Sequence, residues 1–267
     1  MPRLDALLVE KGLAQSRERA KEYIKNGEVF VNKKPCLKPS AEISDTDDIE
    51  FCGEKPKYVG RGGLKLEKAI NEFSIDLSGL VCADLGASTG GFTDCMLQNG
   101  AEMVFAVDVG HGQLDKRLLN DTRVKNIEGV NVKDVNLDII GKECDFVAAD
   151  LSFISVKFAQ LAAVRILKTN GSAVFLIKPQ FEAGRQYLSK NGIVKDKKVH
   201  QNILTEALAY LSDLGFSVNA LTFSPITGGD GNIEYLVYAI KADAKKPFVC
   251  DVKKIVDDAF IQVKKGG

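Results

Sequence analysis

Apolar positions in the first sixty residues recur at helical spacing in two segments and then give way to strand-like runs. The first predicted helix ends at Gly12, and the second is capped by Ser16 and followed by Gly27. A short strand is expected at 28–31, running into a turn, and another near 48–51. The apolar stripes are Leu4, Leu7 and Leu8, then Ala20, Tyr23 and Ile24. This pattern predicts two short helices packed on a small sheet.

From residue 80 onward, strand-like apolar runs alternate with helix-like segments. This alternation predicts an α/β fold with a mostly parallel sheet and helices on both of its faces. A polar joint at 53–57 contains a glycine and a proline and predicts a boundary between domains 1–57 and 58–267. The predicted strands are 80–84, 103–107, 146–149 and 173–177, with a hairpin-like pair at 217–223 and 233–240; helices are expected at about 156–167 and 198–213.

Composition restricts the classes of protein that remain. The 267 residues are 45% hydrophobic and 27% charged, which is ordinary for a globular protein. The longest apolar stretch, at 146–167, is interrupted by Asp150, Lys157 and Arg165, whereas a membrane helix needs roughly 18 uninterrupted apolar residues. The start of the chain carries charges within its only apolar run, so no secretion signal is expected. Six scattered cysteines and two histidines predict no metal site, no disulfide framework and a cytoplasmic location.

The net charge is zero, but the N-terminal charges are segregated along the chain. Residues 17–38 hold seven basic and three acidic side chains, whereas residues 42–54 hold six acidic and no basic ones. Such a polarised unit can present a cationic face to phosphates. The alternative is that the basic and the acidic run are two solvent-exposed surfaces that bind no ligand.

The N-terminal residues resemble the alpha-L RNA-binding fold over about residues 1–52. The matching positions are Arg3-Leu4-Asp5, Ser16-Arg17, Ala20, Ile24, Gly27, Val29 and Val31-Asn32. The resemblance implies contacts with structured RNA, which is gripped mainly through its shape and phosphates. The implied RNA-binding residues are Arg3, Ser16, Arg17, Arg19, Lys21, Lys25, Asn32, Lys33 and Lys34. A protein-docking module remains the alternative.

In the larger domain, a charged residue ends each of four predicted strands: Asp84, Asp108, Asp150 and Lys178. In parallel sheets, ligands bind at the carboxyl ends of the strands. One such residue alone is usually a turn former or a helix cap. Four together predict a binding site at this edge.

The loop Gly86-Ala87-Ser88-Thr89-Gly90-Gly91 predicts the class of cofactor. It lacks the Gly-x-Gly-x-x-Gly spacing of dinucleotide sites, and Asp84 just before it would repel a pyrophosphate. Asp108 is placed to accept hydrogen bonds from ribose hydroxyls. S-adenosylmethionine, which is cationic, is favoured over a nicotinamide cofactor. The predicted cofactor-binding residues are Asp84, Gly86, Ala87, Ser88, Gly90, Gly91, Phe92, Asp108, Val109 and Asp150.

Methyl transfer to a hydroxyl needs a base, and a lysine can serve if it is partly neutral and oriented by carboxylates. The predicted catalytic set is Lys65, Asp150, Lys178 and Glu234. Any one of these alone would be read as part of a structural salt bridge. Together they resemble the Lys-Asp-Lys-Glu tetrad of the FtsJ-like ribose 2′-O-methyltransferases.

Longer strings resemble one branch of that group, the TlyA family, over nearly the whole chain. They are Gly60-Arg61-Gly62-Gly63-Leu64-Lys65-Leu66, Asp150-Leu151-Ser152-Phe153-Ile154-Ser155, Lys178-Pro179-Gln180-Phe181-Glu182 and Gly231-Asn232-Ile233-Glu234-Tyr235. The resemblance implies a Rossmann-like class I methyltransferase with a seven-stranded sheet. It implies 2′-O-methylation of cytidine in ribosomal RNA, with Lys178 as base, Asp150 and Glu234 orienting, and Lys65 tuning charge or contacting the nucleotide.

Several alternatives and secondary expectations accompany this interpretation. A base N-methyltransferase would carry Asn/Asp-Pro-Pro-aromatic where residues 150–153 read Asp-Leu-Ser-Phe. A cytolysin, suggested by the haemolysin label of some relatives, would need membrane-length helices or long amphipathic strands. An inactive RNA-binding protein would not need the tetrad.

Because the chain has no tryptophan, Phe153 and Phe181 are the candidates for base stacking. Apolar residues at 252–260 predict a docked helix. Ribosomal RNA or ribosomal subunits are the expected partners, and no obligate protein partner is evident.

Overall fold

A computed structural model describes residues 1–14, 17–53, 56–242 and 248–263, so Ser16, the predicted helix cap and RNA contact, lies outside the described residues. The chain divides into two compact units, Met1–Arg61 and Gly62–Gly267. The boundary predicted from the sequence, between residues 57 and 58, lies four residues before this division. Each unit is described on its own below.

The N-terminal unit packs two helices beside a three-stranded antiparallel sheet in the order β2-β1-β3. Its elements are α1 (Leu4–Glu10), α2 (Arg17–Lys25), β1 (Val29–Val31), β2 (Lys34–Pro35) and β3 (Ile49–Phe51). Both predicted helices and both predicted strands are confirmed. The turn after β1 is also confirmed, but the residues that follow it, Lys34 and Pro35, pair with β1 as the short strand β2. The left-handed backbone of Asn32 and Lys33 (φ 51° and 63°) suits a two-residue hairpin turn.

The C-terminal unit is built on a seven-stranded sheet in the order β6-β5-β4-β7-β8-β10-β9. All pairings are parallel except those of β10, which runs antiparallel to both neighbours. Its elements are α3 (Gly62–Phe73), β4 (Val81–Leu85), α4 (Gly91–Gln98), β5 (Met103–Asp108), α5 (Lys116–Leu119), β6 (Val124–Glu128), α6 (Leu137–Ile140), β7 (Cys144–Ala149), α7 (Lys157–Ile166), β8 (Leu167–Ile177), α8 (Pro179–Glu182), α9 (Lys197–Asp213), β9 (Phe216–Phe223), β10 (Tyr235–Lys241) and α10 (Val252–Gln262).

The predicted mostly parallel sheet is confirmed, with one strand that the apolar pattern did not reveal. β4 is buried along its whole length, as expected for a central parallel strand. The missed strand, β6, reads Val-Lys-Asn-Ile-Glu and lies half exposed at the sheet edge, so it carries no continuous apolar run. The hairpin-like pair is also confirmed, with β9 at the edge and β10 inside it.

Chain direction places the site at one edge of this sheet. The connections run outward from β4 in both directions, toward β6 and toward β8, so β4 and β7 flank a topological switch point. Because β10 is antiparallel to β8, Tyr235 pairs with Ile177, and the start of β10 lies beside the end of β8. The tail helix α10 docks on α9 through Lys197–Asp257 (2.5 Å) and an edge contact between His200 and Phe260, as predicted.

Candidate active site

The loop after β4 is held against the end of β7 by a close backbone approach. Gly86 has a left-handed backbone (φ 88°), and a Cβ there would lie 2.6 Å from the Asp150 carbonyl oxygen. The Asp150 amide donates to the Leu85 carbonyl at 3.1 Å. Only glycine allows both the conformation and the approach.

Asp108 joins this loop to the one after β5. Its Oδ2 accepts from the Ser88 amide at 2.8 Å, and its Oδ1 accepts from the Gly110 amide at 2.7 Å. Each carboxylate oxygen keeps a second lone pair for another donor. Asp108 therefore both shapes the loop and remains able to accept hydrogen bonds from a ligand.

A cavity of about 540 Å³ lies at the carboxyl ends of β4, β5 and β7. Five predicted cofactor residues line it: Gly86, Ser88, Asp108, Val109 and Asp150. Its remaining walls are mostly apolar, which suits the flat faces of a nucleoside. They come from residues that the sequence did not predict to bind the cofactor, although Phe153 was predicted to stack on a base: Leu85, Val107, Gln113, Val130, Asn131, Val132, Leu151, Ser152, Phe153 and Ile154. Residues 130–132 follow β6, and because that strand was not predicted, its end was not recognised as part of the site.

Four other predicted cofactor residues, Ala87, Gly90, Gly91 and Phe92, are not among those that line the cavity. Gly90 lies against Leu114 and Leu118 and has a left-handed backbone. Gly91 begins α4, and Phe92 is buried beside Gly62. These residues therefore shape the loop between β4 and α4 and pack the start of α4 against its neighbours.

Asp84 lies in the interior of the C-terminal unit and is not among the cavity-lining residues either. It is fully buried, and its Oδ2 accepts hydrogen bonds from the Thr93 amide (2.9 Å) and hydroxyl (2.7 Å). Burial raises the pKa of this carboxyl to about 7. Asp84 therefore ties the end of β4 to the first turn of α4.

The four predicted catalytic residues come together in one row of alternating charge. Glu234 Oε2 lies 2.6 Å from Lys65 Nζ, which lies 3.7 Å from Asp150 Oδ2, and Asp150 Oδ1 lies 2.6 Å from Lys178 Nζ. Lys65, Lys178 and Glu234 are buried, whereas Asp150 is partly exposed and also lines the cavity. The row thus connects the protein interior with the cavity.

Three neighbours of the tetrad complete its surroundings. Lys178 Nζ donates to Ser152 Oγ at 2.9 Å, a contact that sequence reasoning missed because serine in such a loop has no distinctive signal. Phe153 and Phe181, the predicted stacking candidates, have ring centroids 5.0 Å apart. The Phe153 side chain is 90% exposed, on a backbone with φ 64°. A bulky residue held in that conformation beside a site is unusual.

In the N-terminal unit, several predicted RNA contacts are engaged within the protein. Arg3 and Arg17 lie 3.1 and 3.0 Å from the buried Asp5, and the hydrogen bonds from Arg3, with those from Arg17, lower the pKa of Asp5 to about 2. Asn32 binds the Asp47 side chain and the Asp48 amide. Arg19 pairs with Glu22 and Lys21 lies 3.9 Å from Glu18, on the helix surface. Lys25, Lys33 and Lys34 are exposed.

Two protein families match the two units. Residues 58–241 match the FtsJ-like methyltransferase family, and residues 2–49 match the S4 domain. The S4 domain match agrees with the alpha-L resemblance of the N-terminal residues.

Curated relatives match most of the chain. A Mycobacterium tuberculosis protein named 16S/23S rRNA (cytidine-2′-O)-methyltransferase TlyA is 38% identical over 88% of this chain and 88% of its own length. Hemolysin A of Brachyspira hyodysenteriae is 44% identical over 89% of this chain and 99% of its own length.

Among solved structures, a Streptococcus thermophilus protein with a provisional hemolysin name matches with a TM-score of 0.81 and 42% identity. That match covers 99% of this chain and 98% of the other. A Listeria monocytogenes structure described as an S-adenosylmethionine-dependent methyltransferase has a TM-score of 0.52 at 19% identity, over 67% of this chain and 98% of its own, and shares the fold. Within the described part of the chain, no helix is long and apolar enough to cross a membrane.

Proposed function

We propose that this chain, which belongs to the FtsJ-like methyltransferase family and carries an N-terminal S4 domain, methylates the ribose 2′-hydroxyl of cytidine in ribosomal RNA. The observation that carries the proposal is the row Glu234–Lys65–Asp150–Lys178, in which Asp150 also lines a cavity of about 540 Å³. The name of the Mycobacterium tuberculosis relative supports the choice of cytidine and of ribosomal RNA. Ribosomal RNA as substrate implies a cytoplasmic location.

The residues of the cavity fit S-adenosylmethionine. The apolar walls Val107, Val130 and Val132 can enclose an adenine ring, and Asp108 can accept from ribose hydroxyls. When bound, this cofactor supplies a methyl group on a positively charged sulfur that leaves readily. Asp150 brings a negative charge to the wall of the same cavity.

Lys178 is the proposed base. In its uncharged form, its Nζ accepts the proton of the ribose hydroxyl while the hydroxyl oxygen takes the methyl group, and the Asp150 carboxylate at 2.6 Å stabilises the ammonium group that results. This proton leaves to solvent before the next turnover. Lys65, held by Glu234, neutralises the other oxygen of Asp150 and fixes its orientation. Phe153 is proposed to stack on the target base, since its ring is exposed and packs against Phe181, whose ring centroid lies 5.8 Å from Lys178 Nζ.

The test is transfer of labelled methyl from S-adenosylmethionine to ribosomal RNA or ribosomal subunits by the purified protein. We expect label in alkali-resistant dinucleotides, because a 2′-O-methyl group blocks alkaline cleavage at that ribose. Label confined to the bases would favour a base methyltransferase. No transfer to either subunit would contradict the proposal.

Cofactor binding is tested separately by calorimetry. Gly86→Ala places a Cβ 2.6 Å from the Asp150 carbonyl oxygen and should weaken S-adenosylmethionine binding strongly. Gly141→Ala is the matched control, because Gly141 has the same left-handed backbone (φ 87°) but nothing within 4 Å of the added Cβ. Equal affinities in the two variants would contradict this placement of the cofactor.

A further inference from the structure

Two chain segments, 150–156 and 178–182, run beside each other at the site and are joined at both ends. At one end, Lys178 contacts Asp150 and Ser152. At the other end, the Glu182 carboxylate binds the start of α7. Between the two ends, the Phe153 and Phe181 rings pack together.

Glu182 provides a helix cap from a distant part of the chain. Its Oε1 accepts from the Val156 amide at 2.6 Å, and its Oε2 accepts from the Ser155 hydroxyl at 2.7 Å. Val156 occupies the N-cap position of α7 and has no side-chain oxygen, so it cannot cap the helix itself. A carboxylate at this place satisfies a free amide and interacts favourably with the positive end of the helix.

The capped end lies three residues beyond Phe153, whose φ of 64° is unfavourable for an aromatic residue. Such a conformation persists only where the surrounding structure enforces it. The contacts of Asp150 and Ser152 with Lys178 fix the loop on one side of Phe153, and Glu182 fixes it on the other.

We propose that Glu182 is a positioning residue, whose carboxylate holds residues 150–156 so that Ser152 and Phe153 keep their places beside Lys178. Glu182 acts through the loop and touches neither cofactor nor substrate. The proposal rests on the proposed methyl transfer only for its kinetic readout, since the contacts themselves can be measured without activity.

The main experiment compares Glu182→Gln with Asp251→Asn. Glutamine keeps the size of the side chain but removes its negative charge, so the start of α7 loses its charge-assisted hydrogen bonds and the favourable interaction with the positive end of the helix. Asp251 also caps a helix, accepting from the Lys254 amide at 2.9 Å, but it caps α10, outside the site. We expect Glu182→Gln to lower kcat about tenfold, equivalent to about 1.4 kcal/mol, and Asp251→Asn to leave kcat unchanged. Wild-type kcat in Glu182→Gln would overturn the proposal.

A double-variant measurement separates positioning from a general loss of stability. If Glu182 acts through the loop, its loss and the loss of Ser152 disturb the same contacts. The kcat of the double variant Glu182→Gln with Ser152→Ala should then be close to the kcat of the less active single variant. Losses that multiply would show independent effects and would overturn the proposal.

Amide hydrogen exchange gives a readout that does not depend on catalysis. We expect the amides of residues 151–156 to exchange faster in Glu182→Gln than in the wild type and in Asp251→Asn. If the wild type transfers no methyl group, the proposed function fails while this measurement still decides the role of Glu182. Unchanged exchange rates of these amides in Glu182→Gln would overturn the proposed positioning role of Glu182.

Discussion

Lys65 and Glu234 are 169 residues apart in the chain, yet their charged groups lie 2.6 Å apart with side chains only 9% and 2% exposed. Lys65 comes from α3, and Glu234 directly precedes β10. A buried ion pair of this kind gains little net stability, but losing one member leaves the other charge uncompensated. We infer that the pair serves mainly to orient Asp150, whose Oδ2 lies 3.7 Å from Lys65 Nζ.

Removing the charge of Lys65 alone should destabilise the C-terminal unit. Lys65→Met leaves the Glu234 carboxylate buried without its cation, and we expect the free energy of unfolding to fall by about 3–5 kcal/mol. Adding Glu234→Gln should restore part of that loss, because both charges are then gone. Denaturant unfolding measures both variants, and methyl transfer should stay low in each. A double variant less stable than Lys65→Met would contradict this account.

Replacing Lys178 should abolish methyl transfer and spare cofactor binding. Lys178→Met removes the proposed base, and we expect kcat to fall by roughly 10²–10⁴-fold. S-adenosylmethionine affinity should change little, since Lys178 is not among the cavity-lining residues. Lys168→Met is the control, because Lys168 also pairs with an aspartate at 2.6 Å but at the surface. Full activity in Lys178→Met would show that another group takes the proton.

Asp84 makes stability depend on pH in a direction opposite to that of most carboxylates. Burial raises the pKa of Asp84 to about 7 in the folded protein, above its unfolded value, so the folded state binds the extra proton. The resulting stability is present below about pH 4 and is lost as the pH rises toward 7. Asp84→Asn keeps an acceptor for Thr93 and has no such loss.

We therefore expect Asp84→Asn to gain stability relative to the wild type between pH 5 and pH 8, by about 1.4 kcal/mol for each pH unit from pH 5 up to the raised pKa near 7, with no further gain above it. Unfolding measured at both pH values tests this. Asp76→Asn should show no such gain, because hydrogen bonds from Ser78 lower the pKa of the exposed Asp76. A difference between wild type and Asp84→Asn that is the same at both pH values would contradict the assignment.

The exposed lysines of the N-terminal unit should carry the RNA contacts. Changing Lys25, Lys33 and Lys34 together to glutamine should weaken binding to ribosomal RNA and reduce its salt dependence by about 0.7–0.9 in log–log slope for each lost phosphate contact. The same change at Lys253 and Lys254, two exposed lysines of α10, is the control. An unchanged slope would mean that this surface does not bind RNA.

Arg3 and Arg17 should behave differently from these lysines. Both bind the buried Asp5, so replacing Arg17 by glutamine should lower the stability of the N-terminal unit as well as any RNA affinity. Thermal unfolding measured beside RNA binding separates the two effects. An Arg17→Gln variant that loses affinity at wild-type stability would assign Arg17 to RNA alone.

By itself, the sequence determined the elements and the chemical types of the site residues. Continuous apolar runs predicted the central strands, and the charged residues that end them predicted one binding edge, because parallel strands finish on the same side of a sheet. The strand β6 escaped prediction, since half-exposed edge residues need no apolar pattern. Because β6 was not predicted, Val130, Asn131 and Val132, which follow it and line the cavity, were not predicted either.

Only the tertiary structure decided which predicted residues meet. Strand-end position alone did not separate Asp84 from Asp108, yet one lies beneath α4 against Thr93 and the other lines the cavity. Asp84 precedes the last residue of β4, so alternation of side chains along the strand turns it toward the helix. The contacts of Glu182 and Ser152 likewise join residues 26 positions apart, which only the packing of α7 and β8 brings together.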